Sequence, residues 1–182
     1  MMAAMEQKDG PVASGEVVLK LGDDVSTDAI YPGRYMATVL PSETPLYAFA
    51  DLPEFNARLR NKEIAPGSIL IAGSNFGCGS SREQAASTLK GRDLVIIARS
   101  YGRIFLQNAV NLGLKILVCP SLEANEGDAL KVVGDQVFNG TTNKGYALQP
   151  LPAARRAIID AGGLIPYTRA RLLKMQTVKS NA

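Results

Sequence analysis

The residues of this chain best equipped for chemistry lie in one run, Gly73-Ser-Asn-Phe-Gly-Cys-Gly-Ser-Ser-Arg-Glu-Gln-Ala85. Gly73, Gly77 and Gly79 permit sharp turns and let a ligand come close to the backbone. Ser80 and Glu83 have the S-x-x-E spacing of a capping box, which predicts a helix starting near them. The amides of a first helical turn lack partners and sit at the positive end of the helix dipole, so they attract an anion. Arg82 adds a planar guanidinium that can grip a carboxylate at two points. The run therefore reads as a carboxylate site with serine hydroxyls inside it. It has neither the spacing of a P-loop nor the order of a dinucleotide fingerprint. The same residues are also compatible with Ser80 as a plain helix cap and Arg82 as the partner of a surface acid.

The elements that must hold this run are legible around it. Gly15–Lys20, Ser68–Ala72, Leu94–Ala98 and Lys115–Cys119 are short aliphatic runs that predict strands. Arg82–Leu89 and Gly102–Leu112 predict helices between them, the second with Ile104, Phe105, Ala109 and Leu112 toward one face. Alternating strands and helices predict an α/β fold with a mostly parallel central sheet in three layers. Leu130–Val133, Gln136–Phe138 and Tyr146–Leu148 predict further short strands separated by Gly-Asp and Asn-Gly turns. A final helix is expected from Pro152 to the Gly162-Gly163 pair.

The stretch Tyr31–Arg60 contains Pro32, Gly33, Pro41, Pro45 and Pro53 and is expected to resist regular structure early on, as a functional or mobile excursion. The expected organisation is a flexible leader over 1–14, one domain over 15–174 and a flexible tail over 175–182.

The chain of 182 residues contains no histidine, which excludes histidine-assisted serine hydrolysis, histidine-ligated metals and histidine acid–base catalysis. Its two cysteines, Cys78 and Cys119, are too few for a disulfide framework and suit a reducing compartment, so a cytoplasmic protein is expected. No signal-peptide core or apolar run of membrane-spanning length is present. The net charge of +3 comes without a basic run or interleaved aromatics, so no nucleic-acid partner is expected.

Asn75-Phe-Gly-Cys-Gly-Ser-Ser-Arg-Glu83 resembles the signature of the small subunits of isopropylmalate dehydratases and of the equivalent swivelling domain of aconitases. Two more stretches match in order: Gly22-Asp-Asp-Val-Ser-Thr-Asp-Ala-Ile-Tyr-Pro-Gly33 and Ala98-Arg-Ser-Tyr-Gly-Arg-Ile-Phe-Leu-Gln-Asn108. The resemblance implies a swivelling β/β/α domain and a hydro-lyase that isomerises 2- and 3-isopropylmalate in leucine biosynthesis. It implies that Ser80, as an alkoxide, removes a proton from the carbon beside a carboxylate. Arg82 would bind a substrate carboxylate and steady that oxyanion, Ser81 would hydrogen-bond nearby, and Asp28 would lie near the active site. The family's Lewis acid is a [4Fe–4S] cluster, which takes about three protein thiolates. With two cysteines this chain is short of that number, so the cluster is expected on a larger partner subunit, with no cofactor or metal here.

The family's specificity loop reads Tyr35-Met-Ala-Thr38 in this chain. Relatives acting on tricarboxylates place an arginine there, whereas Met36 and Ala37 offer an apolar or small surface suited to an alkyl substituent. A small dicarboxylate substrate is thus expected. A related hydro-lyase acting on dimethylmalate or homoaconitate, and a non-catalytic anion-binding module, are the alternatives that the residues leave open.

Overall fold

The computed structural model describes residues 13–180. Four strands run parallel in the order β4-β3-β2-β1: β1 (Ala13–Lys20), β2 (Ile69–Ala72), β3 (Val95–Ala98) and β4 (Ile116–Val118). From β1 the sheet continues antiparallel through β5 (Ala129–Val133), β6 (Gln136–Asn139) and β7 (Lys144–Ala147). An antiparallel bridge between Val118 and Gln149 then ties the segment after β7 back to β4.

Alternation along the parallel strands divides their side chains between two cores. Val18, Leu70, Ile96 and Ala98 face the helical layer, where they meet Phe55, Leu89, Phe105 and Ala109. Val17, Ile69, Ile71, Val95 and Ile97 face the other way and pack with Leu130, Val132 and Val137 of the antiparallel extension. The result is the expected stack of two β layers and one helical layer. The helices are α1 (Thr27–Ile30), α2 (Pro53–Arg60), α3 (Glu83–Gly91), α4 (Arg103–Leu112), α5 (Ala153–Asp160) and α6 (Leu164–Ser180).

Several boundaries depart from the sequence reading. β1 starts at Ala13, and the part of the expected leader before it lies outside the described residues. β7 lies earlier than expected because its register is set by Asn139 opposite Lys144 across the turn. The helix from Ala153 is not the last, because α6 follows the Gly162-Gly163 break and runs through the expected tail as far as Ser180.

The stretch Tyr31–Arg60 divides in two: beyond one 3₁₀ turn its early part has no regular element over 36–43, as expected, whereas the part from Thr44 is regular. The stretch as a whole forms 3₁₀ turns at Gly33–Tyr35 and Thr44–Tyr47, and then α2. Pro45 and Pro53 stand in the first turns of their helices, where a missing N–H costs nothing and the fixed φ favours entry. Phe49 and Phe55 meet edge to face at 5.6 Å, and Thr88 Oγ1 donates to the Thr44 carbonyl at 2.7 Å from α3. Tertiary contacts therefore hold the half beyond Thr44 to the core.

Candidate active site

The glycine-rich run leaves β2 and is stitched to both neighbouring loops before it enters α3. Phe76 N–H donates to Ser100 O at 3.0 Å and Phe76 O accepts from Gly102 N–H at 2.8 Å, tying it to the β3–α4 connection. On the other side Gly77 N–H donates to Val25 O at 2.7 Å and Thr27 N–H to Cys78 O at 2.8 Å. Gly77 has φ +77°, and a Cβ there would lie 2.2 Å from the Phe105 ring, so no side chain fits. Phe76, fully buried, anchors the loop against Phe105 at a ring separation of 5.2 Å.

Ser80 does not cap α3. The N-cap is Arg82, with no side-chain cap bond, and the S-x-x-E capping box of the sequence does not form. The Ser80 hydroxyl instead lies 3.2 Å from Thr27 Oγ1. Ser81 is exposed, and its carbonyl accepts from Asn108 Nδ2 at 3.5 Å. The α3 amides of Glu83 and Gln84 have no helical carbonyl behind them, so the anion-attracting helix start survives although its cap differs.

Arg82 is pinned from α1. Its Nη1 donates to Asp28 Oδ1 and, at 2.9 Å, to the Tyr31 carbonyl. Asp28 Oδ1 also accepts from Gly33 N–H at 2.8 Å. The Arg82 guanidinium, followed by the Gly33 amide, holds the Asp28 carboxyl below the ordinary carboxylate range. The Arg82 side chain keeps 15% of its surface exposed against 63% for Asp28. Asp28 thus acts as a clasp, and the guanidinium stays half-buried and oriented.

Ser80, Ser81 and Arg82 share a cleft of about 510 Å³ with Glu83, Gln84 and Ser87 of α3. The apolar part of the lining is Met36, Val39, Pro41 and Leu112. Of the four residues expected to read the substrate, Met36 lines this cleft, whereas Tyr35, Ala37 and Thr38 do not. Tyr35 stacks on Tyr47 at 4.2 Å, inside an aromatic group with buried Tyr31. The Tyr31 hydroxyl donates to the carbonyls of Tyr35 and Thr38 at 3.1 and 3.3 Å, which fixes the turn that presents Met36. The sequence assigned no role at this site to Val39, Pro41 or Leu112, since only folding brings them to the serines. Thr27 lies inside a matched stretch, and its place between Ser26 and Asp28 was the available signal.

Among the described residues no three of Cys, Asp and Glu converge as a metal site. Cys119 is buried, which raises its thiol pKa, and Cys78 Sγ donates to Asp24 O at 3.3 Å.

The fold is a seven-stranded α/β sheet whose glycine-rich loop brings two serines and an arginine to a cleft. The family model of the aconitase C-terminal domain matches residues 46–121. The 3-isopropylmalate dehydratase small subunit of Methanosarcina acetivorans is 45% identical over 156 residues, covering 82% of this chain and 93% of the relative. The subunit of that name from Heliobacterium modesticaldum is 42% identical, with 85% and 94% covered. A crystal structure of 3-isopropylmalate dehydratase from Methanocaldococcus jannaschii superposes with a TM-score of 0.81 at 36% identity, covering 91% of this chain and 98% of that one. This chain belongs to the family of 3-isopropylmalate dehydratase small subunits.

Proposed function

We propose that this chain, joined to a larger subunit, interconverts 2- and 3-isopropylmalate by dehydration and rehydration, and does so in the cytoplasm. The observation that carries the reading is one cleft with two unlike walls. Ser80, Arg82 and the α3 amides offer hydrogen bonds and one positive charge beside the Glu83 carboxylate, while Met36, Val39, Pro41 and Leu112 offer apolar surface. A malate bearing a branched alkyl group has the same two-sided character.

In this reading Arg82 binds a substrate carboxylate with the nitrogens that Asp28 and Tyr31 leave free. The same cation and the α3 amides lower the cost of charge on Ser80 Oγ, which an ordinary serine does not carry at neutral pH. Ser80 takes the proton from the carbon beside the carboxylate and returns it on rehydration. The apolar wall holds the alkyl group and excludes water from that side. Loss of hydroxide from the neighbouring carbon needs a Lewis acid, which a [4Fe–4S] cluster on the larger subunit would supply.

The test is to purify the chain alone and with its larger partner and follow hydration of isopropylmaleate. The pair should turn over and the chain alone should be silent and colourless, even after anaerobic incubation with iron and sulfide. A stoichiometric cluster with turnover from this chain alone would overturn the division of labour.

A further inference from the structure

Thr27 spends its side chain on one residue. It is 1% exposed, and its Oγ1 lies 3.2 Å from Ser80 Oγ and 3.3 Å from the Ser80 carbonyl oxygen. Its backbone is held as firmly, because Thr27 N–H donates to Cys78 O and its carbonyl accepts from Tyr31 N–H at 3.0 Å. Gly79, with φ +95°, passes close by, and a Cβ there would lie 3.6 Å from Thr27 Oγ1. The hydroxyl thus sits at a fixed point beneath Ser80, away from solvent.

A hydroxyl has one proton and two lone pairs. While Ser80 is neutral, Thr27 can donate to the Ser80 carbonyl and accept the Ser80 proton, which selects one orientation of the serine hydroxyl. When Ser80 Oγ carries negative charge it has no proton to give. The Thr27 proton then turns to it, since a hydrogen bond to an ionised acceptor is about twice as strong as a neutral one. Only the Ser80 O–H bond is made or broken, as the substrate proton arrives on Ser80 and leaves it on rehydration, while Thr27 changes only the direction of its own O–H.

We infer that Thr27 is a positioning residue for the reaction, orienting the Ser80 hydroxyl and donating to the Ser80 oxygen when that oxygen is charged. The inference rests on the reading of Ser80 as the base.

Thr27→Val nearly preserves shape and removes the hydroxyl. In the assembled enzyme it should lower kcat about 10–100-fold, the range for a hydrogen bond to a charged group, with KM within about threefold. The rising limb of the kcat–pH profile should move to higher pH, because the charged serine has lost a donor. Thr27→Ser, which keeps the hydroxyl, should restore kcat to within about threefold and return the profile to its wild-type position. Should Thr27→Val not assemble, Thr27→Cys, with a weak donor in nearly the same volume, carries the same expectation. Wild-type kcat and an unshifted profile in the hydroxyl-free variant would overturn the inference, as would a loss that Thr27→Ser does not recover. Ser80→Ala separates the two levels: if it is inactive while Thr27→Val is normal, only the role of Thr27 falls. Normal turnover by Ser80→Ala would remove both.

Discussion

The two walls of the cleft are built in opposite ways. On the polar wall, Ser80 and Arg82 are held by side chains and carbonyls of α1, and the loop before them is tied to both flanking connections by backbone bonds of 2.7–3.0 Å. On the apolar wall, Tyr31 holds the backbone of the turn, but the Met36 and Val39 side chains leave 42% and 64% of their surface exposed and carry no strong hydrogen-bonding group that could fix them. Reacting groups must be placed to within fractions of an ångström before substrate arrives. An alkyl-binding surface needs no such precision and gains most when substrate and partner remove it from water. In the proposed reading, the chain carries its chemistry preorganised and leaves its selectivity to be completed by substrate and partner.

The strongest way to break this contrast is Ser80→Ala. It should lower kcat by about 10²–10⁴-fold, the range for loss of a positioned base, while substrate affinity changes little. Because Ser80 caps no helix, thermal unfolding of the variant should match the wild type more closely than removal of an N-cap would allow. Steady-state kinetics with separately measured binding would check both halves.

Arg82→Lys comes next. A lysine keeps the charge but cannot hold Asp28, the Tyr31 carbonyl and a carboxylate together in one plane. Turnover should fall about 10–100-fold, with weaker substrate binding alongside. A variant with normal kcat and KM would reduce Arg82 to the partner of a surface acid.

The apolar wall should respond more mildly and in selectivity rather than rate. Met36→Arg should cost isopropylmalate about tenfold in kcat/KM and raise activity toward a homocitrate-type tricarboxylate. Ala37→Arg should do less, since Ala37 lies off the cleft lining. Competition between the two substrates on each variant would rank the positions, and a larger shift from Ala37→Arg would reverse that assignment.

The smallest effect concerns the clasp. The Asp28 carboxyl lies below its unfolded value, so its contribution to stability is present at neutral pH and lost only as pH falls through the lowered folded value. The stability difference between wild type and Asp28→Asn should stay flat from pH 8 to about pH 5 and shrink below about pH 4, as thermal unfolding across that range would show. Hydrogen exchange sharpens the same picture on the backbone. Amides of 36–43 should exchange faster than those of Ile69–Ile71, whereas Phe49 and the amides of α2 should be protected.

The strand–helix alternation and the Gly73–Ala85 run were readable because they depend on local pattern: aliphatic runs of strand length, glycines at turns, and a charged or hydroxyl residue at a helix start. Where the reading failed, a local rule met a competitor from far away in sequence. Ser80 has capping-box spacing, yet Thr27 offers it a buried partner 53 residues away, and the helix begins later without a side-chain cap. The prolines of Tyr31–Arg60 suggested irregular structure, which holds over 36–43, yet Pro45 and Pro53 stand in the first turns of two helices, the second of which buries Phe55 and Leu59. α6 escaped notice because its apolar residues are interspersed with Arg169, Arg171 and Lys174, and Ile165, Leu172, Leu173 and Met175 stay exposed rather than forming a buried stripe.

By itself the sequence determined the order of most elements, the candidates for reactive groups and the count of two cysteines, since each follows from residue type and short-range spacing. Only the tertiary structure decided which groups meet. It set Arg82 on the Asp28 clasp and Ser80 on Thr27, chose Met36 over its neighbours, and brought Val39, Pro41 and Leu112 to the same cleft. Such contacts between residues distant in the chain depend on strand order and register, which the sum of packing in both cores fixes and no local pattern encodes.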